Sequence, residues 1–169
     1  GMRLAVASGK GGTGKTTVAL SLAFVAAHPV MYVDCDVEEP NAHIFLRPRI
    51  TNSTVVHIPV PSVDETRCTH CGECAAVCRY GAIASLPSMT LVFKELCHGC
   101  GGCAIACPTN AISESPNRIG VVESGPSSVL NNVTLVQGRI DVGVPLSPPL
   151  IRSVKEKAGD EELVILDCP

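Results

Sequence analysis

Aromatic side chains are scarce in this 169-residue chain, at 3% of its residues, and tryptophan is missing altogether. Only Phe24, Phe45, Phe93, Tyr32 and Tyr80 remain to stack on exposed bases, too few for a single-strand binder. Positive charge is equally thin. Thirteen Lys and Arg stand against 16 Asp and Glu, a net charge of -3, and no basic run concentrates them. Electrostatic capture of nucleic acid or of an anionic membrane therefore has little to work with. Long apolar runs are missing too: the longest, from Val18 to Ala27, is interrupted by Ser21 and ends at His28 and Pro29, short of the roughly 20 residues that span a bilayer. It reads as a buried helix. What the chain has in quantity is apolar surface, 46% hydrophobic against 17% charged residues, which excludes disorder for most of its length.

It also has ten cysteines, eight of them between Cys68 and Cys107. Nothing at the N-terminus resembles a signal peptide, because Lys10 and Lys15 interrupt the region where its apolar core should lie. Reduced cysteines in a cytoplasmic protein are the expectation, not a disulfide framework. Gly1 before Met2 reads as a cloning remnant.

Residues 2–60 alternate strand and helix signals: Met2 to Ser8 largely apolar, a glycine cluster at 9–14, a helical run from Lys15 to Ala27, then Val30 to Val33 apolar again. This opens a βαβ series. Ile58-Pro59-Val60-Pro61 reads as a linker, since proline donates no hydrogen bond to a central strand. Past Asn117 a mixed pattern returns, with a hairpin expected over Asn132 to Gly143 around Gly138, a helix over Ser147 to Ala158 and a strand over Leu163 to Leu166. The expected organisation is thus a discontinuous α/β domain, residues 2–60 and 118–169, with residues 61–117 inserted. The outer domain stops where a doubly wound sheet normally continues.

Gly9-Lys10-Gly11-Gly12-Thr13-Gly14-Lys15-Thr16 fits the phosphate-binding pattern G-x4-G-K-[ST], after a strand and before a helix as its chemistry requires. Glycines let backbone N–H groups and the helix N-terminus close on phosphate oxygens; Thr17 follows in the first helical turn. Lys15 reaches the β and γ phosphates, and the Thr16 hydroxyl is a ligand for Mg2+. Lys10 is a second lysine that an ordinary phosphate loop does not need. With it, the segment resembles the MinD/ParA/Mrp family of deviant-Walker ATPases. The resemblance implies a P-loop NTPase with a parallel sheet, here incomplete, that binds ATP and Mg2+. It also implies an ATP-bound homodimer in which Lys10 contacts the partner's nucleotide, the alternative being a solvated loop lysine. Asp34-Cys35-Asp36 closes the second strand and is followed by Asn41. By the same resemblance Asp36 positions the attacking water and Asp34 lies near the Mg2+ shell, unless the pair caps the next helix. Leu163 to Asp167 resembles Walker B, with Asp167 holding Mg2+ through water. Turnover is expected of a longer chain, since the switch loop that family members carry after this aspartate is only begun by Cys168-Pro169.

The cysteine block is an internal repeat. Cys68 to Ala84 aligns with Cys97 to Ser113, an offset of 29 residues, with identity at 8 of 17 positions and C-x2-C-x2-C-x3-C in each half. A unit this short cannot bury a core unaided, so ligation must hold it together. The runs resemble the bacterial two-cluster ferredoxin, in which the fourth cysteine of each run crosses to the other cluster. That resemblance implies an inserted α+β ferredoxin domain with two 4Fe-4S clusters, one on Cys68, Cys71, Cys74 and Cys107, the other on Cys97, Cys100, Cys103 and Cys78. Cys107 keeps the proline that usually follows; Cys78 is followed by Arg79. Zinc is the competing occupant of such thiols. Cys35 and Cys168 read as small buried residues, and His70 and His98, inside the runs, as loop histidines or as donors to a cluster sulfur. Taken together, an ATP-binding iron-sulfur protein passing electrons to a redox partner is expected, with cluster delivery to acceptor proteins as the alternative. Nucleic acid and membrane are not expected partners.

Overall fold

The computed structural model describes residues 1–159 and 161–169. Chain order is β1 (Met2–Val6), α1 (Lys15–Val25), β2 (Val30–Asp34), α2 (Ala42–Leu46), β3 (Asn52–Val63), α3 (Glu73–Val77), β4 (Ile83–Leu86), β5 (Met89–Val92), α4 (Gly102–Ala106), β6 (Ile112–Pro126), β7 (Val133–Ile140), α5 (Pro148–Lys157) and β8 (Leu163–Asp167). A short 3-10 turn, Lys94–Leu96, precedes α4. The chain forms two compact units. The first comprises Gly1–Val56, Gly120–Val142 and Ser147–Pro169; the second comprises His57–Ile119 and Gly143–Leu146.

The main sheet has the order β1-β8-β2-β7-β6-β3. β1, β8, β2 and β7 run parallel, and β6 turns antiparallel against β7. The inner parallel strands β8, β2 and β7 are largely buried, as strands covered on two sides are, whereas β1 at the end of the sheet order is mostly exposed. Tyr32, Leu135 and Ile165 of β2, β7 and β8 pack with Ala19, Leu20 and Ala23 of α1, all buried. α1 is therefore not the buried helix expected of this run: it buries one stripe, Ala19, Leu20 and Ala23, and leaves Val18, Phe24 and Val25 exposed.

Two further expectations are corrected. β3 runs through Ile58-Pro59-Val60-Pro61, which is strand and not linker. It is the last strand of the sheet order, where a proline without an N–H costs no ladder bond, and Ile58 and Val60 are buried. There is also no turn at Gly138: β7 passes straight through it, paired with Val122 of β6. A Cβ at Gly138 would lie 2.6 Å from Val154 of α5 and 2.7 Å from Val37, so this glycine serves close packing.

In the second unit β4 and β5 form an antiparallel hairpin, Ile83 opposite Val92. The repeat is visible in the backbone, because adding 29 to Glu73–Val77 gives Gly102–Ala106, so that α3 and α4 are equivalent single turns. Each begins after a glycine in the left-handed region, Gly72 and Gly101. His70 (φ 52) and Asn110 (φ 49) adopt the same region that Gly99 and Gly81 occupy at the matching places. The apolar cluster here is small: Cys74, Ile83 and Ile112 are its buried members.

Candidate functional site

In the first unit, register brings the chemistry together. β1 and β2 flank β8, with Val6 and Asp34 each level with Asp167. The entry to the phosphate loop and the two aspartates therefore share the C-terminal edge of three adjacent strands, where ligands bind in open α/β sheets. The loop is braced from within. Ser8 Oγ donates to the Lys10 carbonyl at 2.8 Å and lies 2.7 Å from Thr13 Oγ1, and Thr13 Oγ1 lies 3.3 Å from the same carbonyl. Gly12 and Gly14 take positive φ, 71° and 85°. Gly14 caps α1, whose first turn holds no acidic residue, leaving the amide end open to an anion. Gly9, Lys10, Gly11 and Thr17 are exposed, while Lys15 and Thr16 are half-buried.

The aspartates are held differently. Asp34 is buried, and its carboxylate accepts N–H bonds from Asp36 (3.0 Å), Asn41 (3.2 Å) and Ala42 (3.1 Å). These contacts pin the loop into α2, a capping role. Burial pushes the Asp34 carboxyl up to about 6 against the pull of the Ala42 and Asp36 N–H groups, and Asp167 pushes the same way as burial. Asp36 is half-buried and accepts from the Glu39 N–H at 3.2 Å. Asp167 is buried and accepts a 2.9 Å hydrogen bond from the Tyr32 hydroxyl. Burial and the neighbouring Asp167 drive the Tyr32 phenol far above its ordinary range, so it stays a donor. Tyr32 escapes sequence reasoning, since a tyrosine in an apolar strand reads only as core. Cys35 is buried and, by that burial first, its thiol is pushed up to about 12. It is an inert neutral thiol.

In the second unit the eight repeat cysteines sort into two sets of four. One cavity is lined by Cys68, Cys71, Cys74 and Cys107. Another is lined by Cys78, Cys97, Cys100 and Cys103. The fourth cysteine of each run thus faces the first three of the other. All ten cysteines of the chain are free thiols. Backbone donors serve the sulfurs: Ala111 N–H reaches Cys107 Sγ at 3.2 Å, and Gly99 N–H reaches Cys97 Sγ at 3.4 Å. For Cys107 the bonds from Ala111 and Thr109 outweigh burial and lower the thiol's pKa, favouring thiolate. For Cys74 and Cys103 burial wins and raises it. Four thiols converging on one space, served by N–H donors, is the donor chemistry that a cubane iron-sulfur group requires, so these residues fit two such groups.

Side chains that sequence spacing does not reveal complete the first cavity. Thr90 of β5 brings its hydroxyl to 3.5 Å from Cys68 Sγ and from His70 Nδ1. His70 Nδ1 is itself 3.6 Å from that sulfur, and its Nε2 is 3.8 Å from Glu65. Ligand atoms of Glu65, Cys68 and His70 lie within 4.8 Å of one another. Neither Thr109 nor Thr90 is signalled by the cysteine spacing, and Thr90 arrives only by the hairpin. In the second cavity the rings of Tyr80 and His98 stack, centroids 3.6 Å apart.

A P-loop edge with two strand-end aspartates on a mainly parallel sheet defines a nucleotide-binding α/β protein. The sequence pattern of the CobQ/CobB/MinD/ParA nucleotide binding domain matches residues 4–155, and the chain belongs to that family. It is similar to two uncharacterised proteins of Methanocaldococcus jannaschii. With MJ0578 it shares 33% identity over 99% of its own length and 59% of that protein's. With MJ0579 it shares 32% over 57% of its length and 36% of that protein's. The chain thus spans less than two thirds of either relative. Among the described residues, no helix is long and apolar enough to cross a membrane.

Proposed function

We propose that this chain is the nucleotide-binding and electron-carrying part of an ATP-switched iron-sulfur protein. The observation that carries the reading is the sorting of eight cysteines into two converging sets of four, in one chain with a phosphate loop. In this reading the N–H groups of Gly9 to Gly14 and the α1 N-terminus cradle the phosphates, Lys15 neutralises them, and Thr16 and Asp167 hold Mg2+. Tyr32 fixes the carboxylate of Asp167 in one orientation. Asp36 positions water, and Asp34 acts chiefly by holding the loop that carries Asp36. Lys10, exposed on the loop, reaches across an ATP-bound homodimer. Two 4Fe-4S clusters, when bound by the two cysteine sets, supply one-electron carriage to a redox partner. Nucleotide state gates that transfer.

The second reading, delivery of clusters to acceptor proteins, is disfavoured by the complete ligation each set offers, since a cluster for release needs an incomplete shell. Anaerobic redox titration followed by EPR, with and without Mg-ATP, separates the two. A nucleotide-dependent shift in midpoint supports gating. Unshifted midpoints, together with transfer of iron and sulfide to an apo-ferredoxin, would favour delivery.

A further inference from the structure

The two cysteine cavities differ at positions the repeat makes comparable. Adding 29 to Tyr80 gives Thr109, and adding 29 to Thr69 gives His98. In the first cavity hydroxyls reach sulfur: Thr109 Oγ1 lies 3.7 Å from Cys107 Sγ, and Thr90 Oγ1 lies 3.5 Å from Cys68 Sγ. Thr90 is only 8% exposed, and its backbone N–H is taken by Glu65 at 3.3 Å, which holds the residue in place. In the second cavity the matching side chains turn to each other instead, Tyr80 and His98 stacking with planes 6° apart. Pro59, Pro61, Val77 and Ile83 line the rest of it with apolar surface.

A sulfur that ligates iron carries no proton, so a hydroxyl bonded to it must donate; Thr90 Oγ1 is equally 3.5 Å from His70 Nδ1 and gives its one proton to sulfur when that nitrogen carries its own. Reducing a 4Fe-4S group adds negative charge. Donors to its sulfurs stabilise that form, and apolar walls oppose it. Backbone donors occur in both cavities, through Ala111 and Gly99, and largely cancel in the comparison. The charged groups nearby, Glu65 and Arg67 at the first cavity, Glu114 at the second and Arg79 next to Cys78 in the chain, are exposed and screened by water.

Resting on the cluster reading above, we propose that Thr90 and Thr109 make the group held by Cys68, Cys71, Cys74 and Cys107 the more easily reduced of the two. The first electron added to the chain settles there, and the Tyr80–His98 side is the internal donor.

The test is an anaerobic, EPR-monitored redox titration of the iron-loaded protein. The wild type gives two separate one-electron midpoints. Thr90→Val lowers the upper one, disfavouring reduction about tenfold, or ~59 mV for one electron, and leaves the lower in place. Thr90→Ser, which keeps the hydroxyl, restores it, and Tyr80→Thr raises the lower midpoint. Coincident wild-type midpoints overturn the inference. So does an upper midpoint unmoved in Thr90→Val, or in Thr109→Val should Thr90→Val fail to take up iron. Iron and sulfide analysis made beforehand keeps the two questions apart: a wild-type protein that loads fewer than two clusters overturns the cluster reading itself.

Discussion

The two units of this chain are stabilised by different physics. In the first, strands β2, β7 and β8 bury Tyr32, Leu135 and Ile165 completely against α1, a continuous apolar core. In the second, the cluster around the candidate ligand Cys74 has three buried members, with Ile58, Val60, Ala82, Ala111 and Ile119 buried outside it, and its helices are single turns. Apolar burial of roughly 25 cal/mol per Å2 can hold the first against chain entropy but has too little area to act on in the second. On the proposed reading, ligation in the second unit is a folding term as well as a functional one.

The largest expected effect breaks that comparison directly. Stripping iron with a chelator and an oxidant should release amide protection across α3, α4 and the β4–β5 hairpin while β2 and β8 stay protected. Hydrogen exchange read by mass spectrometry decides it, and protection surviving in both units would refute the distinction. Next, Leu135→Ala should cost about 2–5 kcal/mol in the first unit and leave iron stoichiometry unchanged. Urea unfolding followed by the fluorescence of buried Tyr32, in a Tyr80→Phe background, measures it.

Smaller is the effect of Lys15→Ala. Nucleotide affinity should fall at least about tenfold, ~1.4 kcal/mol, with the visible iron-sulfur absorption unaltered; calorimetry with Mg-ATP gives the first and spectroscopy the second. The last concerns pH. Asp34 has a folded value of about 6 against an ordinary 3.8, so the native state keeps a proton that the unfolded chain has released. Its contribution to stability is present below about pH 4 and is lost as pH rises toward 6, no more steeply than about 1.4 kcal/mol per pH unit. The urea midpoint reported by Tyr32 should fall across that window, and the fall should shrink in Asp34→Asn.

Legibility followed the range of the interactions. The phosphate loop, α1, β2, α5 and β8 were readable because their signals are local: a glycine motif, a helical run, proline at a helix start and short apolar strands. The prolines at 59 and 61 and Gly138 misled because their ordinary meaning, a chain break, depends on sheet position. An edge strand tolerates the missing N–H, and a close helix needs the missing Cβ. Asp34 shows the same limit. Residue type and strand-end location suit both magnesium and capping, and only the bonds from Asp36, Asn41 and Ala42 show where its carboxylate points.

By itself the amino-acid sequence determined the chemistry available: the phosphate loop, the strand-end aspartates and a twofold cysteine repeat, whose crossed sets were implied only by its resemblance to the two-cluster ferredoxin. These are covalent and short-range properties, written in residue type and separation. The tertiary structure alone decided that Tyr32 donates to Asp167, that Thr90 reaches Cys68 across a hairpin, and that Tyr80 and His98 stack where the other half of the repeat places threonines. Those contacts depend on strand register and turn geometry, which bring together residues that no local spacing relates.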